Sequence, residues 1–558
     1  MIKKALSFLF AALLPLMASA EGISIIPEPQ KISETGKSYS ISKEIILVHA
    51  DSEELVNLAR TWGESIVKPY AEGDYWTEAD FHRIVSGTVL PTAVIEKKAK
   101  KADVHLSTDK AIPEEGYRLS ISPEKGIVIA GGSSKGVWWA LQSLTQILIQ
   151  STESASEGRT ELPGVEIEDF PQFAYRGAML DCCRHFFSVE DVKKFIDIMA
   201  LHKLNTFHWH LTEDQAWRIE IKKYPLLTQI GSTREDTLIS SMRDQKNRKF
   251  EGHPHCGFYT QAQAREIVAY AAERQISVIP EIEMPGHAEA ALAAYPYLGC
   301  TQKDYAPLSY WGVNKEVFCM GRESTFTFLE DVLDEICDIF PSEYIHIGGD
   351  ECPSDRWKEC PDCLKRMQEE GLNEANRLHG YMLHRIEQHL AQKGRHIIGW
   401  DEILEGGVTP TATVMSWRGT QGGIKAAKMG NKVVMAPHKY FYLDYYQTAD
   451  PASNREPLGF GGYVSLEKCW SFDPFDSLSD AEKSCIYGIQ ANAWTEYMKG
   501  IERVQFMVLP RFCALSAVSW HKDASTYPEF LAKVKSSMLK LYRYYGLIYA
   551  PYAFTGIE

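Results

Sequence analysis

Residues 344–351, YIHIGGDE, predict a buried strand over Tyr344–Gly349 that is followed by two adjacent acids, Asp350 and Glu351. An acidic pair on its own is more often the start of a helix, where the helix dipole favours carboxylates. Here a strand and two glycines come first, and acids also follow other predicted strands, which favours a catalytic role. Because side chains alternate along an extended chain, we expect the two carboxyl groups to point in different directions.

Seven further strands are predicted around this segment, and amphipathic helix patterns separate several of them. They are Tyr175–Asp181, Leu204–His210, Ile276–Glu281, His396–Trp400, Thr413–Trp417, Lys432–Ala436 and Tyr487–Ala493. Eight strand–helix units predict an α/β fold, a (β/α)8 TIM barrel. A doubly wound open sheet is the alternative. It usually has a glycine-rich phosphate turn after its first strand, whereas Tyr175–Asp181 runs into Cys-Cys-Arg-His.

The chain divides into three predicted parts. Residues 1–20 have the pattern of a secretory signal peptide, with Lys3 and Lys4 before an apolar run and Ala18-Ser19-Ala20 at its end. This pattern predicts export, to the periplasm or the medium. Residues 21–170 predict a small α+β domain, and residues 171–558 predict the catalytic barrel with a helical C-terminal end.

The charge balance indicates which classes of binding partner are unfavourable. The 558 residues carry 59 basic and 74 acidic side chains, a net charge of −15. This balance argues against a nucleic-acid partner and against docking on an anionic membrane. Beyond the first 20 residues no segment is apolar enough to predict an integral membrane span. The oligomeric state is left open.

Carboxylates and tryptophans dominate the predicted carboxyl ends of the strands, where a barrel places its active site. The residues assigned there are Arg176, Asp181, His208, His210, Asp214, Glu281, Glu283, His287, Asp350, Glu351, Trp400, Asp401, Trp417, Trp494 and Glu496. Carboxylates bind hydroxyl groups and move protons, and indole rings offer large apolar faces. This composition indicates a carbohydrate site, and a glycan is the expected partner.

Two motifs raise the question of a metal. His208-Trp-His210 resembles the imidazole pairs of metal hydrolases, but the later strand ends offer Trp and carboxylates instead of further histidines. We therefore expect both histidines to support the acids, with no metal and no cofactor in the site.

Cys360-x-x-Cys363 suggests zinc, but a second cysteine pair is missing nearby in the sequence, which favours a local disulfide or free thiols. Cys300 and Cys319 flank one long loop and could bridge it.

Several motifs occur in the order found in glycoside hydrolase family 20, the β-N-acetylhexosaminidases. They are HWHLTEDQAWRIEI, PEIEMPGH, HIGGDE, Trp400-Asp401-Glu402, TVMSWRG, FYLDYY and NAWTE. RGAMLDCCRHF resembles the family's first barrel strand, and the preceding segment resembles its small N-terminal domain. Glu213-Asp214 departs from the family's usual pair of Asp residues, and Glu283 replaces a frequent Asp.

This resemblance implies substrate-assisted retaining hydrolysis of terminal N-acetylhexosamine, in which the 2-acetamido oxygen attacks the anomeric carbon. Glu351 would be the general acid and then the base, while Asp350 would orient the acetamido group and stabilise its positive charge. Tyr442 would hydrogen-bond the acetamido oxygen.

The remaining roles implied by the resemblance concern binding. Trp400, Trp417 and Trp494 would wall the pocket, Arg176, Asp444 and Glu496 would hold the sugar hydroxyls, and Asp214 and His287 would support the acid. The competing hypothesis is a glycan-binding protein of the same fold without catalysis. Such a protein would be expected to have lost Asp350, Glu351 or Tyr442, and all three are present. The natural glycan and its linkage stay open, as does the choice between N-acetylglucosamine and N-acetylgalactosamine.

Overall fold

The computed structural model describes residues 22–67, 89–152 and 158–554. The predicted signal peptide, residues 1–20, lies outside them. Among the described residues, no helix is both long and apolar enough to cross a bilayer.

In its described residues, 22–67, 89–152 and 158–170, the N-terminal domain has a seven-stranded mixed sheet and two helices. Its strands are Lys31–Ser42, Ile45–Ala50, Thr92–Ile95, Val104–Thr108, Tyr117–Ser122, Gly126–Gly131 and Arg159–Asp169, and its helices are Glu53–Val67 and Ser134–Ser151. Tyr117–Ser122 pairs antiparallel with Gly126–Gly131 and forms a hairpin. The Ser133 side chain caps the second helix by accepting a hydrogen bond from the Lys135 backbone N–H, and most of this helix is buried.

The second domain is a closed barrel of eight parallel strands, which confirms the predicted fold class. In chain order, barrel strands one to eight are Tyr175–Asp181, Thr206–His210, Ser277–Glu281, Tyr344–His346, His396–Trp400, Thr413–Ser416, Val433–Met435 and Ile486–Ala493. Strand eight pairs with strand one and closes the barrel. Each predicted strand is present, several of them shortened at one end.

Helices surround the barrel and cover its loops. The longer ones are Val189–Leu201, Gln261–Glu273, Glu323–Ile339, Pro361–Glu369, Arg377–Gln392, Gln421–Met429, Ile501–Val508, Arg511–Trp520, Tyr527–Ser536 and Met538–Tyr545. The shorter ones are Leu226–Gln229, Glu289–Ala294, Asp355–Glu359, Ile403–Gly406, His438–Phe441, Leu466–Trp470 and Asp480–Lys483. Capping boxes begin two of the longer helices, with Ser188 paired to Asp191 and Thr260 paired to Gln263.

The two domains meet at the amino ends of the barrel strands. Arg176 is the second residue of barrel strand one and is completely buried. Its guanidinium pairs with Glu115 of the N-terminal domain at 2.6 Å and donates to the backbone oxygens of Phe173 and Lys203. The assignment of Arg176 to the sugar site is therefore wrong. Active sites of such barrels lie at the carboxyl ends of the strands, and Arg176 lies at the opposite end.

Barrel strand four is three residues shorter than predicted because the chain leaves the extended conformation at its two glycines. Gly348 has φ 65° and Gly349 has φ 94°, values that glycine adopts without a steric penalty. A Cβ on Gly348 would lie 1.6 Å from Glu283 Oε2, so no larger residue fits there. Asp350 and Glu351 are thus carried by a tight turn, and alternation along a strand does not set their directions.

Candidate active site

A cavity of about 130 Å³ opens at the carboxyl ends of the barrel strands. It is lined by Arg184, Glu213, His287, Asp350, Glu351, Trp417, Tyr442, Asp444, Tyr445, Phe460, Trp494 and Glu496. The fold therefore brings together most of the predicted site residues from strands that are far apart in sequence.

Both acids of the turn after strand four face His287. Its Nε2 atom lies 3.7 Å from Asp350 Oδ2 and 3.7 Å from Glu351 Oε2. Glu351 has the more exposed side chain of the pair, 39% against 13% for Asp350. Glu351 also adopts φ 44°, an uncommon conformation for a residue with a side chain. One carboxyl group thus lies deep in the cavity, and the other remains accessible at its mouth.

A network of buried ionisable groups supports His287 from below. His287 Nδ1 lies 2.7 Å from Glu213 and 3.4 Å from Asp214. Glu213 in turn lies 3.4 Å from His210 Nε2, and His210 Nδ1 hydrogen-bonds Glu281. These contacts connect the acids at the mouth of the cavity to the centre of the barrel.

Glu281 is the centre of this network. Its carboxylate accepts a hydrogen bond of 2.8 Å from Trp400 Nε1, and its oxygens lie 3.0 Å from His208 and 2.9 Å from His346. His208 and His210 are completely buried below the cavity.

The histidines of this network differ in charge. Burial lowers the pKa of His208 to about 4, so this ring is neutral. Burial also acts to lower the pKa of His210 and of His287. The neighbouring carboxylates raise these two pKa values by more than burial lowers them. Glu281 is the main cause that raises the pKa of His210 to about 10, and Glu213 is the main cause that raises the pKa of His287 well above its usual range. His287 therefore presents a positive charge to the two acids.

Aromatic rings form one wall of the cavity. The rings of Trp417 and Tyr442 are stacked, with centroids 5.8 Å apart and planes 12° from parallel, and Trp494 lies 6.1 Å from Tyr442. Trp400 was predicted to line the same wall, but it is completely buried. It packs behind Trp494 at a centroid distance of 5.9 Å. It therefore supports the wall and does not line the cavity.

Three carboxyl groups that line the cavity have buried oxygens without a partner in the described part of the chain. Asp350 Oδ1, Asp444 Oδ1 and Glu496 Oε2 are buried, and no partner for them occurs among the described residues. Buried acceptors of this kind are costly unless a donor reaches them. Burial raises the pKa of Glu496 to about 7 and that of Asp444 well above its usual range. The hydroxyl groups of a sugar are suitable donors for such oxygens.

Arg184 is the arginine of the cavity, and the sequence analysis missed it. Its guanidinium lies 3.3 Å from Asp181 and 3.4 Å from Glu213. It follows the last residue of barrel strand one by three residues, whereas Arg176 is the second residue of that strand. Both arginines belong to the same motif, RGAMLDCCRHF. The rule that active sites lie at the carboxyl ends of strands would have chosen Arg184.

The contact of Glu213 with His287 was not predicted from the sequence. Asp214 was expected to support the acid, yet Glu213 lies closer to His287, at 2.7 Å against 3.4 Å. Asp214 also accepts a hydrogen bond from the backbone N–H of Glu289 at 3.0 Å, which ties it to the neighbouring loop. Both of these adjacent acids therefore hold His287 in position.

An eight-stranded parallel barrel with paired acids, an aromatic wall and a ring of buried acceptors defines a glycoside hydrolase. Family comparison agrees with this class. Residues 173–523 match the model of the glycosyl hydrolase family 20 catalytic domain, and residues 22–170 match that of domain 2 of the same family. The chain belongs to glycosyl hydrolase family 20.

Proteins that are similar in sequence to this chain are named β-hexosaminidases. A β-hexosaminidase of Porphyromonas gingivalis is 44% identical over 529 residues, which is 93% of this chain and 63% of that protein. The chain thus spans less than two thirds of that relative's length. A β-hexosaminidase of Akkermansia muciniphila is 32% identical over 79% of this chain and 88% of its own length.

Solved structures are similar along nearly the whole chain. The β-N-acetylhexosaminidase of Bacteroides fragilis has a TM-score of 0.76 and 31% identity, covering 95% of this chain and 97% of that one. The family 20 exo-β-N-acetylglucosaminidase of Vibrio harveyi, in complex with N-acetylglucosamine, has a TM-score of 0.79 and 29% identity. That match covers 94% of this chain and 78% of that one.

Proposed function

We propose that this protein is an exported, exo-acting β-N-acetylhexosaminidase. It removes terminal β-linked N-acetylglucosamine or N-acetylgalactosamine from glycans. The observation that carries the proposal is the position of Asp350 and Glu351, which share His287 in a cavity walled by Trp417, Tyr442 and Trp494. The names of the similar enzymes and the sugar bound to the Vibrio harveyi relative support the substrate class.

Glu351 acts first as the general acid. Its side chain is the more exposed of the two acids and reaches the mouth of the cavity, where a leaving group would lie. The acetamido oxygen of the substrate attacks the anomeric carbon while the bond to the leaving oxygen breaks. Glu351 gives its proton to that oxygen. The products of this step are the departing alcohol and a cyclic oxazolinium ion.

The second step restores the enzyme. The Glu351 carboxylate takes a proton from water, and the water oxygen bonds to the anomeric carbon as the ring of the oxazolinium opens. Because two displacements occur at the same carbon, the released sugar keeps the β configuration. Asp350 stabilises the positive charge that develops on the acetamido nitrogen, and Tyr442 donates to the acetamido oxygen.

Binding of the sugar hydroxyls is assigned to Asp444, Glu496 and Arg184. The first two present unpartnered buried oxygens, and the third brings a guanidinium to the same cavity. Polar groups that enclose the end of a sugar favour removal of a terminal residue over cleavage within a chain. Export is proposed from the pattern of residues 1–20.

A panel of aryl β-glycosides tests the activity. We expect rapid hydrolysis of the 2-acetamido-2-deoxy glucoside and galactoside and very slow hydrolysis of the plain β-glucoside and β-galactoside, which lack the attacking oxygen. Proton NMR of the first-formed sugar should show the β anomer. Comparable rates with and without the acetamido group, or the α anomer first, would contradict the mechanism. Binding of N-acetylglucosamine without any turnover would instead support the glycan-binding alternative.

A further inference from the structure

Four cysteines from three parts of the chain meet at one point. The sulfurs of Cys300 and Cys363 lie 3.8 Å apart, those of Cys319 and Cys360 lie 3.7 Å apart, and those of Cys319 and Cys363 lie 3.6 Å apart. All four sulfurs lie within 4.8 Å of one another. We call Cys300, Cys319, Cys360 and Cys363 the four-cysteine cluster.

The spacing of these sulfurs matches a tetrahedral metal site. Zinc binds thiolate sulfur at about 2.3 Å in a tetrahedron, which places neighbouring sulfurs about 3.8 Å apart. The three sulfur–sulfur distances of 3.6 to 3.8 Å are close to this value. The sequence analysis disfavoured zinc at Cys360-x-x-Cys363 because it found no second cysteine pair. The fold supplies that pair from Cys300 and Cys319.

The surroundings favour negatively charged sulfur. Cys360 and Cys363 lie at the start of the helix Pro361–Glu369, whose positive dipole end stabilises anions. Arg322 interacts electrostatically with Cys319 and Cys360, and its guanidinium is held by Asp362 at 2.7 Å. Four thiolates on one zinc carry a net charge of −2, which these groups offset in part.

Burial protects the cluster. Cys319, Cys360 and Cys363 are buried, and Cys300 is half-buried. Closed surroundings with four protein ligands are typical of structural zinc, whereas catalytic zinc keeps a ligand position open. None of the four cysteines lines the candidate active site.

We propose that the four-cysteine cluster is a structural zinc site. On binding, the thiols release their protons and four sulfur–zinc bonds form. The metal would join the loop after barrel strand three, which carries Cys300 and Cys319, to the segment after barrel strand four, which carries Cys360 and Cys363.

The second of these segments begins at Asp350 and Glu351, so the site would hold the chain that leaves the two acids. Direct contacts already link the two segments. Trp357 Nε1 donates to the backbone oxygen of Phe318 at 2.9 Å, and Arg356 donates to Glu316 at 3.0 Å. A zinc ion would add four bonds to this connection.

Metal and thiol analysis of the whole protein tests the proposal. The protein is expressed in zinc-supplemented medium and purified without chelator. We expect about one zinc per chain by mass spectrometry and twelve reactive thiols after denaturation in the presence of a chelator, the number of cysteines in the chain. Two disulfides would remove four of these thiols. A chain without stoichiometric zinc, whether it shows disulfides or twelve free thiols, would overturn the proposal.

Variants and a spectroscopic probe locate the metal. Cys363→Ser should lose most of its zinc and unfold at a lower temperature, whereas Cys469→Ser, a change at a buried thiol outside the cluster, should keep its zinc. If Cys363→Ser does not fold, Cys300→Ser at the half-buried ligand replaces it.

Protein produced with cobalt in place of zinc should show the visible absorption of tetrahedral cobalt thiolate. Full zinc occupancy in the folded cluster variant, or octahedral cobalt, would contradict the assignment. Activity on aryl glycosides is measured separately, so failure of the zinc site and failure of the proposed activity are distinguishable.

Discussion

The guanidinium carbon of Arg184 lies 5.0 Å from the centroid of the Trp494 ring. An arginine over an indole face is held by the attraction between the cation and the π electrons. Asp181 and Glu213 pair with the same guanidinium. Arg184 is thus rigidly placed beside the proposed position of the sugar, while Arg176 pairs with Glu115 at the other end of the barrel.

The two arginines should differ in what their loss affects. Arg184→Ala should lower kcat/KM by about 10- to 100-fold, because a hydrogen bond to a charged group contributes about 1.5–3 kcal/mol. Arg176→Met should leave kcat/KM of the folded protein nearly unchanged but lower stability by about 3–5 kcal/mol, because it leaves the Glu115 carboxylate without its partner. Steady-state kinetics and denaturant unfolding measure both effects. A kinetic loss confined to Arg176→Met would reverse the assignment.

Glu351→Gln removes the proton donor with little change in shape. We expect kcat on a substrate with a poor leaving group to fall by about 10²- to 10⁴-fold, the usual contribution of general acid catalysis. The loss should be much smaller when the leaving group needs little protonation. Glu359→Gln, a change at an exposed acid in the same segment, is the matched control. Near-native activity of Glu351→Gln on the poor leaving group would show that another group donates the proton.

Asp350→Asn should affect the transition state more than the bound sugar. The Asp350 side chain lies beside His287 and is mostly buried, so its charge acts in a region that excludes water. A thiazoline that mimics the cyclised intermediate should bind the wild type far more tightly than N-acetylglucosamine does. The variant should lose thiazoline affinity and kcat together, while its affinity for N-acetylglucosamine changes little. Equal losses for both ligands would mean that Asp350 serves only ground-state binding.

The pH profile should reflect the burial of Asp350. Burial raises the pKa of Asp350 to about 7, with His287 opposing this shift and Glu351 adding to it. The proposed role needs the ionised form, whose fraction increases as the pH rises through this value. The acid limb of kcat/KM should therefore lie near pH 7, well above the ordinary carboxyl range of about 4. In kcat the limb reports the pKa of Asp350 in the complex with substrate.

Asp350→Asn should remove this limb. An acid limb near pH 4 in the wild type, or an unchanged limb in the variant, would assign it to a different group.

The sequence by itself predicted the barrel and the adjacent acids Asp350 and Glu351 at the end of one of its strands. Eight short apolar segments alternate with amphipathic helix patterns, and both signals are local, so the strand predictions matched the structure within a few residues. The family motifs also pointed to Asp350, Glu351, Tyr442 and Trp417, and all four line the cavity.

Only the tertiary structure decided which side chains meet. It placed Arg176 at the domain interface, Arg184 on the cavity and Trp400 behind Trp494. It also brought the sulfurs of Cys300 and Cys319 within 4 Å of those of Cys363 and Cys360, although 63 and 41 residues separate these pairs along the chain. The physical reason is that strand and helix patterns depend on neighbours along the chain. The environment of a side chain, in contrast, depends on how loops from separate strands pack over the barrel, and periodicity does not carry that information.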